Sequence, residues 1–130
     1  MLSREQMVEA VENYFVYMDE NQSDAVTGLF ASDGVLMCES NGMRVEGHAD
    51  LRRFFTRLSA GTNGMLHTCS SWVVDLDGQR VSCELTYTSE KKESGHYESD
   101  NCNFFDFDEN GKFRRVRYWA GNPGPWRPLD

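Results

Sequence analysis

The second half of the chain is a succession of long period-two segments, residues 65–75, 79–90, 96–107 and 112–119. Only the turn-forming stretches Asp77-Gly78, Glu93-Ser94-Gly95 and Asp108-Glu109-Asn110-Gly111 separate them. Alternation sends successive side chains to opposite faces of a strand, and short polar turns return the chain beside itself, so this half forms an antiparallel meander. In residues 79–88 one face carries Val81, Cys83, Leu85 and Tyr87, and the other carries Ser82, Glu84, Thr86 and Thr88. Only the first face can be covered by other structure. In residues 65–74 His67, Cys69, Ser71 and Val73 share one face, and Leu66, Thr68, Ser70, Trp72 and Val74 the other; neither is plainly polar, which predicts a strand buried on both sides.

The cover comes from the first half. Ser3-Arg4-Glu5-Gln6 has the form of a capping box, and Met7, Val8, Val11, Tyr14, Phe15 and Met18 recur at helical spacing, predicting a helix over 3–20. Ser23 or Asp24 caps a short second helix that turns Val26, Leu29 and Phe30 inward and ends at Ser32-Asp33-Gly34. Asn41-Gly42 makes residues 35–39 and 43–46 a hairpin, and a third helix over 48–60 buries Leu51, Phe54, Phe55 and Leu58 while Arg52, Arg53 and Arg57 stay outside. Helices early and long strands late predict an α+β layer fold, one domain over 1–130, in which a strongly curved sheet and three helices enclose a cavity. The tail from Gly121, rich in proline and glycine, is extended, and its Trp126 is placed to dock on a second subunit or to cover the cavity mouth.

The charge, 13 basic against 21 acidic residues for a net of −8, opposes a phosphate backbone or an anionic membrane as partner. No stretch approaches the ~20 apolar residues of a membrane span, and the amphipathic, acid-bearing start resembles no export signal, so the expected location is the cytoplasm. Cys38, Cys69, Cys83 and Cys102 are dispersed through strand patterns and read as reduced thiols, with no metal site. Arg114, Arg115 and Arg117 read as a solvated edge, and Asp106-Phe107-Asp108-Glu109 as a solvated hairpin tip. His48 reads as a cap or surface residue and His96 as exposed. Trp72, Val74 and Phe104, as outward apolar positions, suggest a homodimer through the sheet.

Polar groups inside apolar segments need partners or a ligand. They are His67 between Leu66 and Thr68, Asn101 and Asn103 just before Phe104-Phe105, and Tyr14 on the buried side of helix one. The expected cavity wall takes Met18 from helix one, Cys38 and Glu39 from the hairpin, and Phe54, Phe55 and Leu58 from helix three. The meander adds Cys69, Leu85, Tyr87, Asn101, Asn103, Phe105 and Tyr118.

The element order, with Tyr14-Phe15…Met18, the stretch from Asp24 to Val35, Glu46-Gly47-His48-Ala49-Asp50-Leu51-Arg52-Arg53-Phe54-Phe55 and Asp108-Glu109-Asn110-Gly111-Lys112, resembles the nuclear transport factor 2-like superfamily, in particular its SnoaL-like branch. That resemblance covers nearly the whole chain and implies a cone-shaped, mostly antiparallel sheet with a deep pocket. It implies several possible chemistries, since the fold serves many. Against ketosteroid isomerases, the oxyanion-binding tyrosine falls on Tyr14, the general-base aspartate on or beside Cys38, and the protonated aspartic acid near Asn103; a thiol is a poor carboxylate substitute, which leaves Glu39 as base for that mechanism. Polyketide cyclases would place an acidic base at Glu39, Asp100 or Glu98. Scytalone and bile-acid dehydratases place a tyrosine and an aspartate on helix one and a histidine on the first long strand, matching Tyr14, Asp19 and His67, with Glu90 ahead of Glu84 as the acid that orients the imidazole.

The implied function is a lyase or isomerase (dehydratase, cyclase or double-bond isomerase) needing no cofactor. Its substrate is a small apolar carbonyl compound such as a polyketide, steroid or terpenoid; His67 is the general base and Tyr14 stabilises the oxyanion. The alternative is a non-catalytic small-molecule-binding or dimerisation module of the same fold.

Overall fold

The computed structural model describes residues 1–121; the proline-rich tail and Trp126 lie outside the described residues. Three helices, α1 (Arg4–Asp19), α2 (Ser23–Thr27) and α3 (His48–Ala60), accompany six strands. The strands are β1 (Phe30–Cys38), β2 (Met43–Glu46), β3 (Thr62–Asp75), β4 (Arg80–Lys91), β5 (Gly95–Phe107) and β6 (Phe113–Ala120). The capping box forms as the sequence requires: the Gln6 backbone N–H donates to Ser3 Oγ at 3.1 Å and the Ser3 N–H to Gln6 Oε1 at 2.8 Å. Such a cap stabilises a helix start by about 0.5–2 kcal/mol.

All six strands share one curled sheet in the order β2-β1-β6-β5-β4-β3. The β3–β6 meander and the β1–β2 hairpin are antiparallel, and β1 joins the two parts by pairing parallel to β6. The helices lie on the inner face. Met7, Val11, Tyr14, Phe15 and Met18 of α1, Val26 of α2 and Leu51 and Phe55 of α3 are buried against Val81, Cys83, Leu85, Phe105, Phe113 and Val116 of the sheet. Each large apolar side chain so buried is worth about 1.5–3 kcal/mol.

Four local expectations change. The second helix stops at Thr27, and Phe30 opens β1, so Ser32-Asp33-Gly34 is an irregular stretch inside a strand rather than a helix end. Gly34 is required there, since a Cβ would sit 2.9 Å from the Phe113 carbonyl oxygen. In β3 a bulge at Ser71, which has φ 56°, reverses the alternation. Trp72 and Val74 therefore pack on the core, while Val73 and Leu66, 65% and 57% exposed, face out; the strand is covered on one side only, and Trp72 and Val74 are unavailable to an outer interface.

The third and fourth changes are linked. Because β1 pairs with it, β6 is an interior strand, not a solvated edge. Arg115 binds Asp106 through Nε at 2.8 Å and Nη2 at 2.6 Å, and Arg80 binds the same carboxylate at 2.6 Å. Arg117 lies over the rings of Phe104 and Trp119. Asp106 is thus buried rather than solvated; its burial favours the neutral acid, but the two guanidinium groups win and hold its carboxyl below the usual range. Asp108 does sit in the turn, where Oδ1 accepts the N–H groups of Asn110 and Lys112 at 2.9 Å each.

Candidate active site

Between α1, α3 and the inner face of the sheet lies a cavity of about 260 Å³. Its apolar wall is Phe15 and Met18 from α1, Phe54, Phe55 and Leu58 from α3, Leu36 and Cys38 from β1, and Leu85 from β4. Tyr14, His67, Tyr87, Asn101, Asn103 and Tyr118 bring polar atoms to it. Four residues expected in the site are elsewhere. Glu39 follows β1 on the exposed surface, and Glu90 pairs with His96 on the outer face. Phe105 belongs to the solid core, and Cys69 packs beside Cys83, with which it shares a thiol hydrogen bond that lowers Cys69 and raises Cys83.

The partner of His67 is Asp19. Asp19 Oδ1 lies 2.5 Å from His67 Nδ1, and Oδ2 accepts the backbone N–H of the same residue at 2.9 Å. One carboxylate therefore fixes both the ring and the strand that carries it. When the neutral ring donates Nδ1–H to Asp19, its lone pair is on Nε2. The ring stacks on Phe15 at a centroid distance of 4.9 Å and meets Tyr87 tilted at 4.7 Å, and the His67 and Asp19 side chains are only 8% and 15% exposed. Asp19 is the last residue of α1, where the helix dipole disfavours an anion by about 0.3–1 kcal/mol. Two charge-assisted hydrogen bonds offset that.

Tyr14 is enclosed by the rings of Phe15, Phe30, Phe55, Phe105 and Phe113, each edge-on. Burial first, and Tyr118 nearby second, push its phenol far above the ordinary value, so it remains an O–H donor. Burial followed by Cys38 does the same for Tyr118. Asn103 is 3% exposed and its Nδ2 has no hydrogen-bond partner among the described residues. A buried amide donor left open costs about 1–3 kcal/mol, a cost a ligand oxygen would remove. Asn101 is committed in part, its Oδ1 accepting from Ser99 Oγ at 2.5 Å.

Sequence reasoning missed Ser99, Tyr97, Lys91 and Asn41, all of which line the cavity. The signal for the first three was parity: stepping back in twos from Asn103 reaches Ser99 and Tyr97, and stepping on from Tyr87 reaches Lys91. Asn41 comes from a hairpin turn and had none. Of the other histidines, Nε2 of His48 lies 2.8 Å from the Phe30 carbonyl, tying the start of α3 to β1, and His96 is exposed. Among the described residues no cluster of His, Cys, Asp and Glu could hold a metal ion, and no helix is long and apolar enough to cross a membrane.

A SnoaL-like domain profile matches residues 1–100. The chain belongs to the SnoaL-like family. Similar solved structures carry the same nuclear transport factor 2-like fold. The BvnE pinacolase of Penicillium brevicompactum has a TM-score of 0.79 at 22% identity, over 90% of this chain and 86% of that one. The epoxide hydrolase/cyclase-like enzyme SalBIII, which has a role in pyran ring formation in the polyether salinomycin, has a TM-score of 0.81 at 19% identity, over 93% and 95%. A protein of ketosteroid isomerase-like fold from Catenulispora acidiphila gives 0.78 at 16%, over 87% and 85%. A search of curated protein sequences finds no match. At these identities the SnoaL-like domain shares the fold with those proteins, and its chemistry has to be argued from its own residues.

Proposed function

We propose that this SnoaL-like domain is a lyase or isomerase for a small apolar carbonyl compound, with His67 as general base and Tyr14 and Asn103 as the oxyanion's donors. The observation that carries the reading is the His67–Asp19 pair, buried behind an apolar cavity with Nε2 left for a substrate. His67 Nε2 takes a proton from the carbon alpha to the carbonyl, and the electron pair moves onto the carbonyl oxygen. The imidazolium so formed is stabilised by Asp19 through Nδ1–H. The Tyr14 phenol, kept protonated by burial, and the open Nδ2 of Asn103 donate to the enolate oxygen in surroundings of low dielectric.

The enolate collapses by expelling a β-hydroxyl, which takes the proton back from the His67 imidazolium and leaves as water, or by taking that proton at another carbon, giving dehydration or double-bond migration. Glu39 and Glu90 have no place in this scheme, since neither faces the cavity. The spread of reactions named for proteins of similar fold, pinacolase and epoxide hydrolase/cyclase-like, fits a site whose fixed part is acid–base and whose walls choose the substrate.

The test is a screen of carbonyl-containing polyketides, steroids and terpenoids against the wild type and His67→Ala, following binding by ligand-observed NMR and exchange of α-protons with deuterated water. Exchange and product formation lost in the variant while binding persists is the expected result. Binding with no exchange in either protein would make the domain a carrier of the same ligands.

A further inference from the structure

The rim of the cavity holds a cation that the acid–base scheme does not use. Lys91 ends β4 on the inner face, lines the cavity, is half-buried, and places Nζ 4.2 Å from the centroid of the Tyr97 ring. It makes no salt bridge with any carboxylate among the described residues, although the chain has eight more acidic than basic groups. Asn41 also lines the cavity, from the β1–β2 turn, and its Oδ1 accepts the Met43 N–H at 3.0 Å. The remaining wall is aromatic and aliphatic, so Lys91 is the one ammonium lining the cavity among the described residues.

The strand sets the spacing. Tyr87, which pairs with His67 and lies against its ring, and Lys91 lie on the same face of β4 four residues apart, about 13 Å along the strand. The two polar ends of the cavity are therefore separate: acid–base groups inside, a cation at the mouth. We propose that Lys91 determines specificity by binding a carboxylate at the outer end of the ligand, so that the domain takes apolar keto acids in preference to neutral ketones.

The geometry suits a fused bicyclic ketone with its carboxylate on the far ring. The carboxylate stays at the half-exposed rim, where its desolvation is incomplete, and the ring system enters the apolar interior. From the proposed function this takes only that the cavity binds a small apolar molecule; catalysis is not assumed.

The experiment measures binding by calorimetry at low salt of a decalone carboxylic acid and its carboxamide to the wild type, Lys91→Met and Lys91→Arg, with thermal melts to confirm folding. We expect the wild type to bind the acid roughly tenfold more tightly than the amide, equivalent to about 1.4 kcal/mol. Lys91→Met abolishes the ratio by weakening the acid alone, and Lys91→Arg restores it. Amide and acid bound equally by the wild type, a ratio that survives Lys91→Met, or a cavity that takes neither compound overturns the proposal. The same samples in deuterated water read α-proton exchange separately, so selective binding without exchange would sink the catalytic reading and leave the role of Lys91 standing.

Discussion

Two histidines of this domain each pair with a carboxylate through Nδ1 at 2.5 Å, and the bond lengths say nothing of how differently they are placed. His67 is enclosed by Phe15, Tyr87 and the end of α1. His96 stands on the outer face of the β4–β5 hairpin with its side chain 54% exposed, between Glu90 and Glu98. Inside, a charge formed on the imidazole has Asp19 and little water to stabilise it, and a ligand can displace that water. Outside, solvent screens the same pair and exposed ion pairs contribute little. A histidine beside an acid is thus a candidate catalyst only where a cavity meets it.

The largest effect expected from this contrast is at His67. His67→Ala should lower turnover about 10²–10⁴-fold, the usual contribution of a positioned general base, without abolishing ligand binding. Asp19→Asn should weaken both activity and folding. An amide has one oxygen where Asp19 uses two, so either Nδ1–H or the His67 backbone N–H loses its acceptor, at about 1–3 kcal/mol. Steady-state kinetics beside denaturant titration separates the two losses. Full turnover in His67→Ala would break the contrast at once.

Tyr14→Phe comes next. The ring contacts that hold Tyr14 among five phenylalanines survive the change, so the melting temperature should hold or rise, while loss of one oxyanion donor lowers turnover about 10²–10³-fold. Loss of stability with unchanged turnover would return Tyr14 to the core.

Much of this was legible because it is local. The capping box, the third helix and the alternation of β4 are each written within a few residues. Parity could also have excluded Glu90 as the partner of His67: Tyr87 faces inward, so Glu90, three residues further on, must face out, opposite His96. Asp19 could be named but not joined to His67, since the pair depends on where α1 ends above β3. The Ser71 bulge carries no glycine or asparagine to announce it, so Trp72 and Val74 were placed on the wrong face. Arg115 and Asp106 were misread together, because β6 becomes interior only through its parallel pairing with β1, a contact across the whole chain.

Asp106 supplies a buried carboxylate outside the cavity that His67 lines, and it should matter to folding alone. Asp106→Asn removes the charge that joins Arg80 to Arg115. With both arginines partly exposed, the expected loss is about 1–3 kcal/mol, below that for a fully buried pair. Its folded-state pKa lies below the unfolded value, so this stability is present above the ordinary carboxylate range and is lost as pH falls through the folded value. Urea titrations of the wild type and Asp106→Asn should therefore converge on acidification, with turnover at neutral pH unchanged.

His96→Ala is the smallest effect and tests the contrast from its other side. Glu98 first and Glu90 second raise the His96 pKa, so any contribution to stability is present below the unfolded imidazole value and is lost as pH rises through the folded one. Since the ring is open to solvent, melts of wild type and variant should coincide at pH 8.5 and differ at most slightly at pH 5.5, and turnover should not move. If His96→Ala instead depressed turnover as far as His67→Ala, enclosure would not be what distinguishes the two pairs, and the outer hairpin would have to be part of the site.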